Sequence, residues 1–394
     1  MASIRKRTWK SRDANGEAIE KTAWVVAYKD QHQKRVIKTF ATQKEAKAWS
    51  VTALHEVQLG THTRASASKT VSEAWLLWLE QCEADKLEFG TIRVRRQHLK
   101  VHVEPLIGHL RLADLTTPLL YDLDNRLRDK TSSIAMRRKI LTSLKTMLTF
   151  AQGRGLVAQN VALGVRIKSD SRESSRGPLR AGVDFPSIAE LNSLIENSTS
   201  RRRPFIVTAI FTGMRLSELR GLRWPDVDLE SGVIHVRQRA DAWGKMGPPK
   251  SKSGKRDIPL APLVLNTLKQ WRVDCPKGPL DLVFPNNRGK IERMWNIHEH
   301  TWYPLQIKCS LTADTGKKDA EGNPVLAHRY GFHMLRHAAA SLFIAYLGWT
   351  PKRLQTVMGH SSINMTFDLY GHLFENIEAD RADMAKIEAA VRAA

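Results

Sequence analysis

His333 and Arg336 in FHMLRHAAAS stand three residues apart, so on a helix they project from one side and can reach a single phosphate. His333 and His337 are spaced as two zinc ligands would be, but Met334 stands where a zinc-protease motif needs glutamate. Arg215 follows Gly213 in FTGMRLSEL, at a turn between helices from which an arginine points either into a cleft or into solvent. Glu218 in the same stretch reads as a brace for that turn through a hydrogen bond or salt bridge. Lys252 lies near the tip of a basic turn in PPKSKSGKRDIPL, placed either to swing into a minor groove or to remain solvated. In VMGHSSINMTFDLYGHL, Tyr370 comes ten residues after His360, and taken alone it is the rim aromatic of a packed helix.

The elements that must position these side chains follow from patterning. From residue 185 onward, helices are predicted at 187–197, 203–212, 262–273, 334–347, 351–358 and 362–371, with GVIHVRQRA and KRDIPL as strands of a hairpin-like sheet. The polar, turn-rich stretch TADTGKKDAEGNP at 312–324 reads as a surface loop. Upstream, TAWVVAY puts Trp24, Val26 and Tyr28 on one face of a strand, KDQHQK is a turn and RVIKTF the returning strand, with IRKRTWK able to supply a third. A capping box of Thr42 with Glu45 opens a helix with Ala46, Trp49, Ala53 and Val57 on one stripe. After a polar stretch at 60–69, a second box of Thr70 with Glu73 precedes AWLLWLEQC, and further helical patterns fall near 91–103, 118–129 and 133–151. Thr117 before Pro118 is a helix start and QGRG at 152–155 a helix stop. KSDSRESSRGPLRAG has almost no apolar content and reads as an exposed linker. The C-terminal segment repeats Ile377, Met384, Ile387 and Val391 at helical spacing, to pack on its own domain or on a neighbouring protomer.

At 394 residues the chain exceeds what one core usually sustains, so two or three domains are expected. Its net charge of +22 is spread throughout: 13 basic against 6 acidic residues in 1–64, 17 against 11 in 65–170 and 32 against 23 in 171–394. An excess in every segment suits a protein that wraps a polyanion along its length, and nucleic acid is the partner expected. Three scattered cysteines, Cys82, Cys275 and Cys309, offer neither a disulfide framework nor metal-ligand spacing and point to a reducing, cytoplasmic setting. The basic N-terminus lacks an apolar signal core, and FIVTAIF is too short to span a bilayer, so no membrane association is expected.

The set Arg215, Lys252, His333, Arg336, His360 and Tyr370, in that order, resembles the active-site set of the tyrosine recombinases, the family of phage-type integrases. The matching segments are TGMRLSELRGLRW, KSKSGKRDIPL, HMLRHAAAS and MGHSSINMTFDLYGH; VEPLIGHLRLADLT at 103–116 resembles the family's core-binding domain and residues 1–60 its arm-binding domain. Met334 and Ala338 depart from the Asp and Thr frequent among relatives. The resemblance implies a small α+β arm-type DNA-binding domain at 1–62, an all-α core-binding domain at 69–168, a linker at 169–184 and a mainly α catalytic domain with a small antiparallel sheet at 185–394. It implies a site-specific recombinase acting on double-stranded DNA as a homotetramer in a bacterial cytoplasm at the nucleoid, with a DNA-bending accessory protein and a directionality factor as further partners and no cofactor or metal. In the implied chemistry Arg215 and Arg336 hold the non-bridging phosphate oxygens, His333 accepts the phenol proton, His360 donates to the phosphate and Lys252 protonates the leaving 5′-oxygen, while Tyr370 takes the 3′-phosphate. The other readings are a DNA-binding protein without catalysis, a type IB topoisomerase using the same chemistry and, with no carboxylate cluster in the motifs to favour it, a metal-dependent nuclease.

Overall fold

The computed structural model describes residues 2–12, 18–29, 35–58, 68–130, 133–168 and 179–374. The chain divides into two compact units, Met1–Ser175 and Arg176–Ala394. The KDQHQK turn, most of the 60–69 stretch, the middle of the linker and the segment after 374 lie outside the described residues.

In the first unit β1 (Ser3–Arg12), β2 (Ala18–Lys29) and β3 (Arg35–Phe40) form an antiparallel sheet with β2 in the middle. Lys6 sits opposite Trp24, and Trp24 opposite Phe40. Helix α1 (Gln43–Gln58) closes one face, its start fixed by the Thr42 and Glu45 capping box. Ala46 packs on Val26 and Tyr28, with Trp49 and Val57 at the rim of this small core and the Tyr28 and Trp49 rings edge to face at 5.4 Å.

The helical part comprises α2 (Val71–Ala84), α3 (Phe89–Gln97), α4 (Glu104–Ile107), α5 (Thr117–Asp129) and α6 (Ile134–Gly153). The stretch expected as one helix at 91–103 starts earlier, at Phe89, and turns π-helical over His98–Val103 before α4. Helix α5 starts at Thr117 as the sequence indicates; its cap is Thr116, whose hydroxyl accepts from the Leu119 amide and leaves Pro118 in the first turn. Trp75, Leu112, Leu120, Leu144 and Met147 fill the core. Gly108 lets the 108–112 strand of backbone lie against the start of α2: the Ser72 amide donates to its carbonyl, and a Cβ there would stand 2.4 Å from the Ser72 hydroxyl. Arg137, 2% exposed, pairs with Asp124 at 2.7 Å and ties α6 to α5.

The second unit opens with α7 (Ile188–Asn197), α8 (Arg203–Thr212) and α9 (Leu216–Arg220). Helix α8 is apolar on all sides and runs through the core, as Phe205, Ile206, Val207 and Ile210 show. Strands β4 (Val227–Asp228), β5 (Val233–Val236) and β8 (Arg256–Pro259) make an antiparallel sheet, with β6 (Arg239–Ala240) and β7 (Met246–Gly247) as a separate ribbon. There follow α10 (Pro262–Asp274), α11 (Met294–Ile297) and α12 (Tyr303–Lys308), then α13 (Met334–Leu347), α14 (Pro351–Met358) and α15 (Ile363–Tyr370).

Residues 312–324 correct the sequence reading: they are no loop but most of a hairpin of β9 (Thr312–Lys318) and β10 (Pro324–His328). Asp319 closes it, its carboxylate accepting from the amides of Glu321 and Asn323 while Gly322 takes φ +86°. Nearly every β9 side chain is exposed, so no apolar alternation marks the strand.

Candidate active site

Helix α8 ends at Gly213 in the left-handed conformation, φ +59°, and the chain reverses against Met358 and Ala339. The reversal makes Arg215 the N-cap of α9 and puts Glu218 one turn on. The Glu218 carboxylate accepts from the Arg215 amide and Nη1, both at 2.9 Å, and from Arg256 Nη1 and Nη2 at 3.1 and 2.9 Å. Burial pushes this carboxyl up, but the Arg256 hydrogen bonds and the Arg256 and Arg215 charges outweigh it and bring it down to about 2. Glu218 is the brace its position suggested.

Three guanidiniums converge on the end of α14, each on a successive carbonyl. Arg256 Nε donates to Val357 O at 2.5 Å, Arg336 Nη2 to Met358 O, and Arg215 Nη2 to Gly359 O at 2.9 Å. These are among the orphan acceptors of a helix C-terminus, which attracts cations. Arg336 also donates from Nη1 to Gly213 O at 2.7 Å, so it spans the ends of α8 and α14. It is 4% exposed, and burial, with the nearby Arg215 and Arg256 charges, pulls it down to about 9, still protonated at neutral pH. Gly359, φ +66°, permits this crowding: a Cβ there would lie 3.0 Å from Arg256 Nη1 and from Ser253 O.

Lys252 occupies the 3-10 turn Lys252–Gly254, whose Ser253 carbonyl abuts Gly359. Its side chain is exposed and has no polar partner among the described residues. His360 follows Gly359 and is buried; its Nδ1 meets the Thr366 hydroxyl at 2.9 Å, and burial together with Arg336 and Arg215 lowers it to about 3. Its ring lies nearly parallel to that of Tyr370, centroids 6.5 Å apart.

Tyr370 ends α15 and is 1% exposed. Its hydroxyl lies 2.7 Å from Nδ1 of His337, a histidine lowered to about 4 by burial, His333 and Arg336. With its proton on Nε2, the neutral imidazole accepts a hydrogen bond from the phenol O–H at Nδ1. Burial pushes the phenol up, and Arg336 offsets only part of this. His333 lies at the exposed start of α13, its ring perpendicular to that of His337 at 5.2 Å; desolvation first, then Arg336 and Arg215, lower it. The hydroxyl expected to face His333 is therefore held by His337, one turn further along the same helix.

Arg215, Arg336, His360 and Tyr370 thus share one cluster, Lys252 rides on a turn seated against it and His333 borders it through His337. Sequence reasoning did not single out Arg256 or the role of His337. A signal existed for each: Arg256 and Ile258 alternate inward along β8, and His337 is one turn from His333 on α13.

Residues 185–376 match the family model described as the Phage integrase family. That stretch is similar to the phage integrases. The prophage integrase IntR of Escherichia coli (strain K12) is 24% identical over 363 residues, spanning 89% of this chain and 80% of that protein. The ICEBs1 integrase of Bacillus subtilis (strain 168) is 25% identical over 360 residues, spanning 87% and 89%. Among solved structures, the Tn1549 transposon integrase superposes with a TM-score of 0.62 at 20% identity, covering 81% of this chain and 100% of that one. A lambda integrase dimer bound to a core site gives 0.54 at 16%, covering 93% and 94%. The fold is that of the tyrosine recombinase integrases, mainly helical with small antiparallel sheets. Among the described residues no helix is long and apolar enough to cross a membrane.

Proposed function

We propose that this chain is a site-specific DNA recombinase that integrates or excises a mobile element through a 3′-phosphotyrosine at Tyr370. The observation that carries this reading is the convergence of Arg215 and Arg336 on the end of α14, beside His360 and a tyrosine whose hydroxyl is hydrogen-bonded to a neutral histidine. Each guanidinium spends two N–H groups on oxygens of the protein itself, which fix its plane and leave further donors for phosphate oxygens. Fixed positive charge aimed at a phosphoryl group stabilises the charge that develops as it becomes pentacoordinate.

In the forward step the Tyr370 phenol loses its proton to a histidine, its oxygen bonds to phosphorus and the bond to the 5′-oxygen breaks. Lys252 supplies the proton to that leaving oxygen, and His360 donates to a non-bridging oxygen. His337 holds the phenol before attack; because Tyr370 is 1% exposed, it must come out of that contact to meet a phosphate, and His333 at the mouth is the base that receives it. A free 5′-hydroxyl reverses the step, so the bond energy stays in the phosphotyrosine and neither ATP nor metal is used.

On the same reading residues 1–62 bind arm-type DNA, 69–168 grip the core site and 185–394 carry the chemistry. The lambda integrase structures include a tetramer bound to a Holliday junction; a homotetramer on double-stranded attachment sites is proposed here, with a DNA-bending protein and a directionality factor as partners in a bacterial cytoplasm. One observation favours the binding-only reading, namely the burial of Tyr370.

Covalent capture decides between them. Wild type and Tyr370→Phe are incubated in EDTA with nicked duplexes from the DNA flanking the gene and run on denaturing gels. A protein–DNA adduct made by wild type alone supports the recombinase; footprints without an adduct leave only a binding protein.

A further inference from the structure

Thr366 is fully buried on α15, one turn before Tyr370, and the two side chains leave the helix on the same face. Among the described residues its hydroxyl has a single partner, Nδ1 of His360 at 2.9 Å. Other helical threonines of this chain behave differently. Thr142, Thr146, Thr267 and Thr356 each turn the hydroxyl back to the main-chain carbonyl four residues earlier, at 2.6 to 3.0 Å. Thr366 makes no such bond to Ser362, so its proton is committed to the histidine.

A buried O–H with no other acceptor in reach donates to the one it has. Nδ1 of His360 is then the acceptor, and a neutral imidazole that accepts at Nδ1 carries its single proton on Nε2. His360 is neutral at pH 7, since burial first and the Arg336 and Arg215 charges next hold it at about 3. Its Nε2 has no protein partner among the described residues. The opposite tautomer would turn the Nε2 lone pair towards a phosphate oxygen, and two acceptors repel. It would also leave the Thr366 proton unpaired in a buried place. Both penalties select the same tautomer.

We propose that Thr366 is a positioning residue, whose hydroxyl fixes His360 as the Nε2–H tautomer and so makes a neutral ring a hydrogen-bond donor to the phosphate. This role rests on the recombinase reading and adds to it the group that sets His360. The two buried hydroxyls of α15 are received by two histidines, Thr366 by His360 and Tyr370 by His337. The helix that carries the nucleophile therefore also sets the donor, and it does so while it is seated.

The first test is nitrogen NMR on the full chain with isotope-labelled histidine. His360→Ala identifies the His360 signals, as the ones it lacks among the 14 histidines. At neutral pH the wild-type ring is expected to carry its proton on Nε2 with Nδ1 bare. A ring protonated at Nδ1, at both nitrogens, or exchanging between them overturns the assignment. Thr366→Val keeps the branched shape and removes the hydroxyl. At saturating nicked duplex its single-turnover rate of adduct formation is expected to fall by about 10-fold, the low end of what losing a partner that orients a working histidine costs at metal sites, with DNA affinity unchanged. Thr366→Ser is expected to recover the rate. In the His360→Ala background Thr366→Val should cost nothing further, whereas a merely structural hydroxyl would cost the same in both. Equal losses in the two backgrounds, or a rate that serine does not recover, overturn the role. If Thr366→Val does not fold, the wild-type spectrum and Thr366→Ser still decide. A wild type that binds DNA without forming an adduct sinks the recombinase reading instead, and the spectrum still judges the tautomer.

Discussion

The Tyr370 hydroxyl and Nδ1 of His337 lie 2.7 Å apart inside the second unit, and the environment of His337 keeps its imidazole neutral. His337→Ala strands a buried hydroxyl and should cost about 1–3 kcal/mol in denaturant unfolding. In the Tyr370→Phe background the same change should cost clearly less, because the orphaned group is gone. Equal costs in the two backgrounds would show that the hydrogen bond carries no stability.

Arg215→Lys and Arg336→Lys keep the charge but lose the planar fork. Cleavage of nicked DNA should fall by about 10²–10³ with binding reduced far less, as for lost transition-state donors. Single-turnover rates at saturating DNA, set beside filter-binding affinities, measure the split. Parallel losses in the two would reduce both arginines to anchors.

Glu218 predicts an acid sensitivity with a definite sign. Its carboxyl is lowered to about 2 in the folded state from 4.5, so its contribution is present above about pH 4.5 and is lost as pH falls towards 2. The shift corresponds to about 3 kcal/mol. Glu218→Gln should therefore be less stable than wild type at neutral pH, and the gap should narrow steadily below pH 4.5. A gap that does not depend on pH would contradict the ion pairing with Arg256 and Arg215.

Gly359→Ala forces a side chain into left-handed backbone and against Arg256. Strain of this kind costs about 1–3 kcal/mol. Because Arg215 bonds to the Gly359 carbonyl, the substitution should also depress covalent capture beyond what its lower melting temperature explains. Normal adduct yield in the folded fraction would uncouple this turn from the site.

The parts legible in the sequence are those decided locally. The Thr42 and Thr70 boxes close over three residues, and the first stripe on α1 is set by helical spacing alone. Arg256 was obscured because KSKSGKRDIPL reads as one basic run; its burial comes from Glu218, 38 positions away. His337 was weighed as a metal ligand with His333, since spacing cannot tell that α15 delivers a hydroxyl to it. The π turn at His98–Val103 was hidden inside a pattern that reads as ordinary helix, and the hairpin at 312–328 left no periodic trace because β9 buries almost nothing.

The acceptors that hold Arg256, Arg336 and Arg215 are main-chain oxygens of Val357, Met358 and Gly359, so their supply does not depend on how the first two positions are spelled. It depends on count. Each residue added to a helix turns everything after it by about 100°, and one codon gained or lost within α14 would point all three carbonyls elsewhere while leaving every catalytic letter in place. Divergent copies of this chain can therefore exchange Val357 and Met358 only for apolar side chains that fit the core and must keep Gly359, and they must also share the length of the turn to the residue.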